Sequence, residues 1–395
     1  MSPRNPADPA SAPAAPTSDA GEKRAGWAEL FFDLVFVFAV TEISTLLRAD
    51  PSWAGLGRAL VLFVPIYWAW VGTSIHTNTQ DVNNSTDRLG IFSLALCGLF
   101  MALAAPGAYT DRAVLFGAAY LALRVVLAAL VWRAHRMVLA PFLIQVVLTG
   151  PLVLAGGFLP NPARVWTWAL AALLDLATPA LARRALSQAT FDPGHLPERF
   201  ALFVIIALGE SIVAIGIPAA ATARLDATHV AAVGASFAFT TALWWLYFGH
   251  TAEAVPTALA TAPIPTDVVR QVLSYAHLAL LAGIIATATA LTTVVIHPSQ
   301  VLDPTSRRLL FGGCALYLTA MSYVHKRTRR RWSPSHLIAA ATSIAMIPAT
   351  SQLPALAALA ALVATLTVLN ILKGPAIVRA GWDGDGHESL RTVSR

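Results

Sequence analysis

Two glutamates, Glu42 and Glu210, each close an otherwise apolar run: FFDLVFVFAVTE over residues 31–42 and RFALFVIIALGE over residues 199–210. A charged side chain at the centre of a hydrocarbon-embedded helix costs about 2.5–3.5 kcal/mol or more, so each such residue needs a partner or a function. Two carboxylates that face one another cannot both ionise cheaply in low dielectric. They share a proton or bind a cation. The chemistry would be proton or cation coupling. The plainer alternative is a pair of protonated, hydrogen-bonded packing groups. Arg124, Asp175 and His277 lie in similar apolar surroundings. Arg124 does not readily discharge and calls for a buried carboxylate, with Glu42, Glu210 and Asp175 as candidates. Pro179 follows Asp175 and frees backbone groups that can mark a kink. His277 suits a proton relay, and suits equally a hydrogen-bonded core residue.

A second set of ionisable residues gathers at helix ends. Glu29 and Asp33 are four apart and share one helix face. His76 and His250 close apolar runs, and Glu198 and Arg199 open one. If these ends lie on one side of a membrane, the six residues form a polar vestibule. Helix capping and snorkelling are the competing explanation, because acids suit a helix N-terminus. Nothing resembles a phosphate-binding Walker loop, a Gly-rich dinucleotide turn, an HExxH zinc motif or a GxSxG elbow. The expectation is therefore no cofactor, no metal and no assigned catalytic residue.

The elements that must position these groups are apolar helices. Of 395 residues, 56% are hydrophobic and only 12% charged. Mean hydropathy is +0.64. Ordinary soluble domains carry about 25% charged residues, so a typical soluble enzyme is excluded. Cys97 and Cys314 both fall in apolar runs and read as core thiols, not a disulfide framework. Twelve apolar stretches run roughly over 28–47, 56–75, 89–106, 113–132, 138–158, 163–182, 199–217, 229–249, 270–296, 309–325, 335–350 and 354–372. Most approach the ~20 residues needed to cross ~30 Å of hydrocarbon. They lack the alternation of a barrel strand, so the expected fold is an all-α polytopic membrane protein. The last two stretches are short and marked by Pro348 and Pro354, consistent with a helical hairpin. Residues 1–25 and 373–395 read as polar tails.

With twelve spans, most of the 27 Lys and Arg residues fall on the side that holds both termini. The positive-inside rule makes that side cytoplasmic. The net charge of +6 then reflects basic loops, above all Lys326–Arg331, which suit anionic lipid and not nucleic acid. The expected location is the plasma membrane.

The two halves are self-similar. Phe32 aligns with Phe200, Leu34 with Leu202, Ala39 with Ala207 and Glu42 with Glu210, without gaps. Downstream, Trp70 aligns with Trp244 and His76-Thr77 with His250-Thr251, and Phe116-Gly117 has a counterpart in Phe311-Gly312. Six spans per half keep both halves in one orientation, a parallel repeat over 26–184 and 185–372. Trp70 and Trp244 read as core packing.

The run Glu29-Leu-Phe-Phe-Asp33-Leu-Val-Phe-Val-Phe resembles the signature opening of the bacterial low temperature requirement protein A (LtrA) family. Glu198-Arg199-Phe200 through Leu208-Gly209-Glu210-Ser211 and Tyr275-Ala-His277-Leu278 resemble two further hallmarks of that family. The resemblance covers about residues 26–372. It implies an integral membrane protein associated by name with growth in the cold, and brings no reaction, substrate or cofactor. The functional expectation is a secondary transporter or channel-like protein for a small solute or ion, favoured over an enzyme. Its rivals are a membrane-integral enzyme or stress factor acting on lipids, and a scaffold.

Overall fold

The computed structural model describes residues 25–80, 84–134, 139–186, 189–222 and 224–374; the expected polar tails lie outside these residues, apart from Ala25, Lys373 and Gly374. Among the described residues the longer helices are α1 Trp27–Ala49, α2 Trp53–Thr79, α3 Ser85–Ala104, α4 Ala113–Ala134, α5 Ala140–Gly157, α6 Ala163–Leu181, α7 His195–Ala221, α8 Ala227–Phe248, α9 Pro265–Ile296, α10 Pro304–Arg329, α11 Pro334–Ala349 and α12 Ala355–Lys373. Short helices Arg183–Leu186 and Ala254–Thr261 lie between them. Among the described residues there is no strand, only an isolated bridge between Val301 and Pro354.

Each apolar stretch coincides with a helix. Nine helices in the described residues are long and apolar enough to cross a membrane. α6 and α10 are long but less apolar, and α11 has 16 residues. α12, expected to be half of a short hairpin, is among the nine with 19 residues.

Polar residues set the helix starts. Ser52 accepts from the Gly55 N–H at 3.0 Å, and Asn84 from the Asp87 N–H at 2.8 Å. Asp226 and Asp303 do the same for α8 and α10. Such caps satisfy N–H groups that the first helical turn leaves unpaired.

α1 packs on α2, α3, α7 and α9, and so stands between the two halves of the chain. Where lipid removes the hydrophobic drive between helices, close approach through small residues becomes the main attraction. A Cβ at Gly117 would lie 2.6 Å from the backbone of Leu154, so only glycine permits the α4–α5 contact. In α9 and α10, a Cβ at Gly283 would lie 2.7 Å from the Gly313 carbonyl. The expected equivalence of Gly117 with Gly312 shifts by one residue: Gly312 has open space, and Gly313 makes the contact.

Candidate functional site

The seam between α1 and α7 carries ionisable groups at two levels. At the near end, where both helices begin, Glu29 lies in the first turn of α1 and Asp33 one turn deeper. Arg199 of α7 reaches both. Its Nη1 donates to Glu29 Oε1 at 3.1 Å and to Thr77 Oγ1 at 2.8 Å, and its Nη2 donates to Asp33 Oδ1. The Gly26 N–H donates to Glu29 Oε2 at 2.7 Å, and Trp70 Nε1 donates to Asp33 Oδ1 at 2.7 Å. His195 Nε2 meets Glu29 Oε2 at 3.1 Å, while its Nδ1 faces the Asn78 amide at 3.2 Å. With the amide donating to Nδ1, the His195 proton sits on Nε2 and points at the carboxylate. Glu29, Asp33, His195 and Arg199 are all at most 1% exposed. A desolvated ion pair of this kind stands only because nearly every lone pair and N–H is engaged. The exceptions are Asp33 Oδ2 and Arg199 Nε.

The expected vestibule therefore splits. Glu29, Asp33 and Arg199 form one closed cluster, and His76 is buried near the end of α2. Glu198 is exposed. Adjacent helix positions point about 100° apart, so once Arg199 faces α1, Glu198 faces away. His250 lies beyond α8 in the second half, near Lys373 and Arg329. Burial pushes its imidazole below the usual histidine range, and those two cations push the same way.

An aromatic block lies deeper. Trp70 stacks on Phe203 with ring centroids 4.2 Å apart, and Phe200 meets Trp70 edge-on at 4.8 Å. Tyr67 lies alongside Trp70. The Tyr67 hydroxyl donates to the carbonyls of Leu273 and Ser274, at 3.1 and 2.9 Å. Those carbonyls belong to a π-helical stretch of α9, Val269–Ala276, whose wider winding leaves them seeking donors. His277 follows it. Its Nδ1 meets the Val272 carbonyl at 2.9 Å and its Nε2 meets the Tyr247 hydroxyl at 2.8 Å, so both ring nitrogens are engaged. Trp70 is core as expected. Trp244 is not: it is 37% exposed. Asp33 holds the Trp70 indole, and the residue that the sequence alignment sets against Asp33 is Ala201, which has no acceptor side chain.

At the second level, toward the far end, Glu210 is 1% exposed. Thr41 donates to its Oε2 at 2.6 Å, and Arg48 reaches back to its Oε1 at 3.4 Å. Thr41, Thr45 and Arg48 line one face of α1, and Arg48 also donates to Thr45 at 2.7 Å. Glu42, the next residue after Thr41, is partly exposed and lies in the electrostatic field of Glu210 and Arg48.

Arg124 finds Asp175, not Glu42 or Glu210. The pair closes at 3.4 Å, with side chains 1% and 0% exposed. Arg124 also donates to Gln145 Oε1 at 3.1 Å, and its guanidinium lies 4.7 Å from the Tyr120 ring centroid. Tyr120 and Thr149 donate to the two Asp175 oxygens. Gln145 and Thr149 bound a π-helical turn inside α5. This network joins α4, α5 and α6 and contains neither glutamate.

Sequence reasoning did not assign roles to His195, Thr41, Arg48, Gln145, Thr149 or Tyr120. The i, i+4, i+7 spacing of Thr41, Thr45 and Arg48 was the available signal for the second level. Among the described residues, no group of three or more His, Cys, Asp or Glu could hold a metal ion.

Many apolar helices, with buried ion pairs such as Arg199–Glu29 and Arg124–Asp175 between them, define a multi-pass helical membrane protein. The model of the bacterial low temperature requirement A protein (LtrA) family matches residues 24–371, and the chain belongs to that family. It is also similar to an uncharacterized protein of Rhizobium meliloti (strain 1021), 29% identical over 331 residues, which cover 80% of each chain. No solved structure matches it.

Proposed function

We propose that this chain is a secondary transporter or channel-like protein for a small solute or ion, with Glu42 and Glu210 as its proton or cation site. One observation carries the reading. At the far level of the α1–α7 seam, the buried Glu210 and the nearby Glu42 share the field of Arg48. Arg112 adds a weaker field from the surface, where its side chain is 51% exposed. One guanidinium neutralises one carboxylate. The second keeps a negative charge in apolar surroundings unless a proton or a cation joins it. Below this site the aromatic block and the Glu29–Arg199–Asp33 cluster close the seam from the near end. Ion pairs that hold a seam shut are natural gates, because a rocking motion exchanges them for water.

Helix packing supports two parallel six-helix repeats. In the first half α1 packs on α2 and α3, α3 on α4, α4 on α5, α2 on α6, and α5 on α6. In the second half α7 packs on α8 and α9, α9 on α10, α10 on α11, α8 on α12, and α11 on α12, which is the same order. The same reading has twelve spans, both termini cytoplasmic and the plasma membrane as location; the shared packing order and the basic asymmetry of the loops support it. Those loops would meet anionic lipid. A role in growth at low temperature rests on the family's name.

Flux into proteoliposomes of purified protein, followed as a function of pH, tests the reading. Glu42→Gln with Glu210→Gln is expected to abolish the pH dependence of flux while the protein stays folded. Unchanged flux and pH dependence sinks the coupling role. No flux at all, with an altered lipid class in a deletion strain grown cold, moves the function to lipid chemistry.

A further inference from the structure

Away from the α1–α7 seam, the ends of four second-half helices bring two cations and three imidazoles together. Lys373 ends α12, His325 and Arg329 lie in the last turns of α10, His336 opens α11, and His250 follows α8. Lys373, His325 and His250 all act electrostatically on His336, and Lys373 and Arg329 act on His250. Among the described residues, Glu253, beside His250, is the carboxylate acting on this group. Bringing like charges together is costly in a partly buried place, and an anion removes the cost.

Hydrogen bonding identifies the kind of ligand. Lys373 Nζ meets Ser333 Oγ at 3.3 Å and His336 Nδ1 at 3.3 Å. An ammonium can only donate, so Nδ1 of His336 accepts and its proton lies on Nε2. His336 is 2% exposed, and that Nε2 has no hydrogen-bond partner among the described residues. The buried Nε2 of His250 has none either. A buried N–H without an acceptor is destabilising, and the ligand it lacks is an oxygen, not a metal cation. The hydroxyls of Ser333 and Ser335, 3.2 Å apart, add donors at the start of α11, where the helix dipole also favours negative charge.

We infer that His336, Lys373, Ser333 and Ser335, with His250 and His325 around them, form a binding site for a phosphate group. Free phosphate and a phospholipid headgroup present the same oxygens to it. The inference stands apart from coupling at Glu42 and Glu210, and its test does not measure flux.

The experiment is thermal unfolding of the full chain in a neutral detergent. Inorganic phosphate is titrated against chloride at matched ionic strength, and in a second arm phosphatidic acid is titrated in mixed micelles. A saturable rise in Tm is expected in at least one arm, with at least tenfold weaker apparent affinity in His336→Gln and Lys373→Met. Saturation with inorganic phosphate assigns the free ion. Saturation with phosphatidic acid alone assigns the headgroup. Where a variant does not fold, broadening of the phosphorus resonance of the same two probes by wild-type protein, reversed by excess sulfate, supports the site. No saturable shift and no broadening with either probe overturns it, as does an equal shift in wild type and folded variants.

Discussion

Arg199 on α7 holds Glu29 on α1 at 3.1 Å, and neither side chain is more than 1% exposed. The same guanidinium also holds Asp33, so a single residue of the second half engages two acids of the first. This contact joins the two halves at the near end, as Arg48 with Glu210 joins them at the far end.

Arg199→Met removes the one guanidinium that engages two buried carboxylates. Removing one partner of a buried pair costs about 3–5 kcal/mol. A large loss of Tm in detergent is expected, and much of it should return in Glu29→Gln/Asp33→Asn/Arg199→Met, which leaves no unpaired charge. A triple variant no more stable than Arg199→Met would show that the cluster does not act through charge.

The Arg124–Asp175 pair should behave as a structural unit. Asp175→Leu alone strands Arg124 between α4 and α5 and is expected to cost about 3–5 kcal/mol. Asp175→Leu with Arg124→Met should recover much of that, with the pH dependence of any flux unchanged. A shifted pH profile in a well-folded double variant would bring this network into the coupling machinery.

Arg48 and Glu210 should respond unequally. Arg48 is 27% exposed and can turn to water, whereas Glu210 cannot. Arg48→Gln leaves a buried acid with only Thr41 and should cost about 1–3 kcal/mol. Glu210→Gln should cost less. Chemical-denaturation midpoints of the two variants, compared with wild type, test the order.

Asp303 gives a pH dependence that can be read from its cap. Burial raises its carboxyl, but hydrogen bonds from Ser306 and Thr305, with Arg307 nearby, outweigh it and hold the group below the usual carboxylate range. A depressed native value means that its stabilisation is complete above the unfolded value of about 3.9 and fades as pH falls through the native one. Asp303→Ala should cost about 0.5–2 kcal/mol at neutral pH. Asp303→Asn, which keeps an acceptor, should lose less on acidification than wild type. Unfolding followed at pH 7 and pH 3 separates the two.

Gly283→Val is expected to force α9 and α10 apart, because its Cβ would meet the Gly313 carbonyl at 2.7 Å. Overpacking of this kind costs about 1–3 kcal/mol. Gly312→Ala, facing open space one residue from Gly313, should be neutral in the same melting assay.

The amino-acid sequence by itself determined that the chain is a set of apolar helices and where each lies. Hydrocarbon leaves no backbone group unpaired, so a long apolar run without the alternation of a barrel strand must bond within itself as a helix. It also marked the acids, since a carboxylate in such a run is conspicuous. Partners were another matter. Whether Arg124 would meet Asp175 or a glutamate, and whether Arg199 or Glu198 would face α1, depended on the rotation of each helix about its axis. That rotation is set by interhelical packing, through glycine contacts such as Gly117 against Leu154 and through π-helical turns that no apolar pattern reveals. The sequence named Glu42 and Glu210 as a pair. Only the tertiary structure decided that Thr41 and Arg48 hold Glu210 while Glu42 stays partly open, because side chains from two helices meet only once both helices are placed.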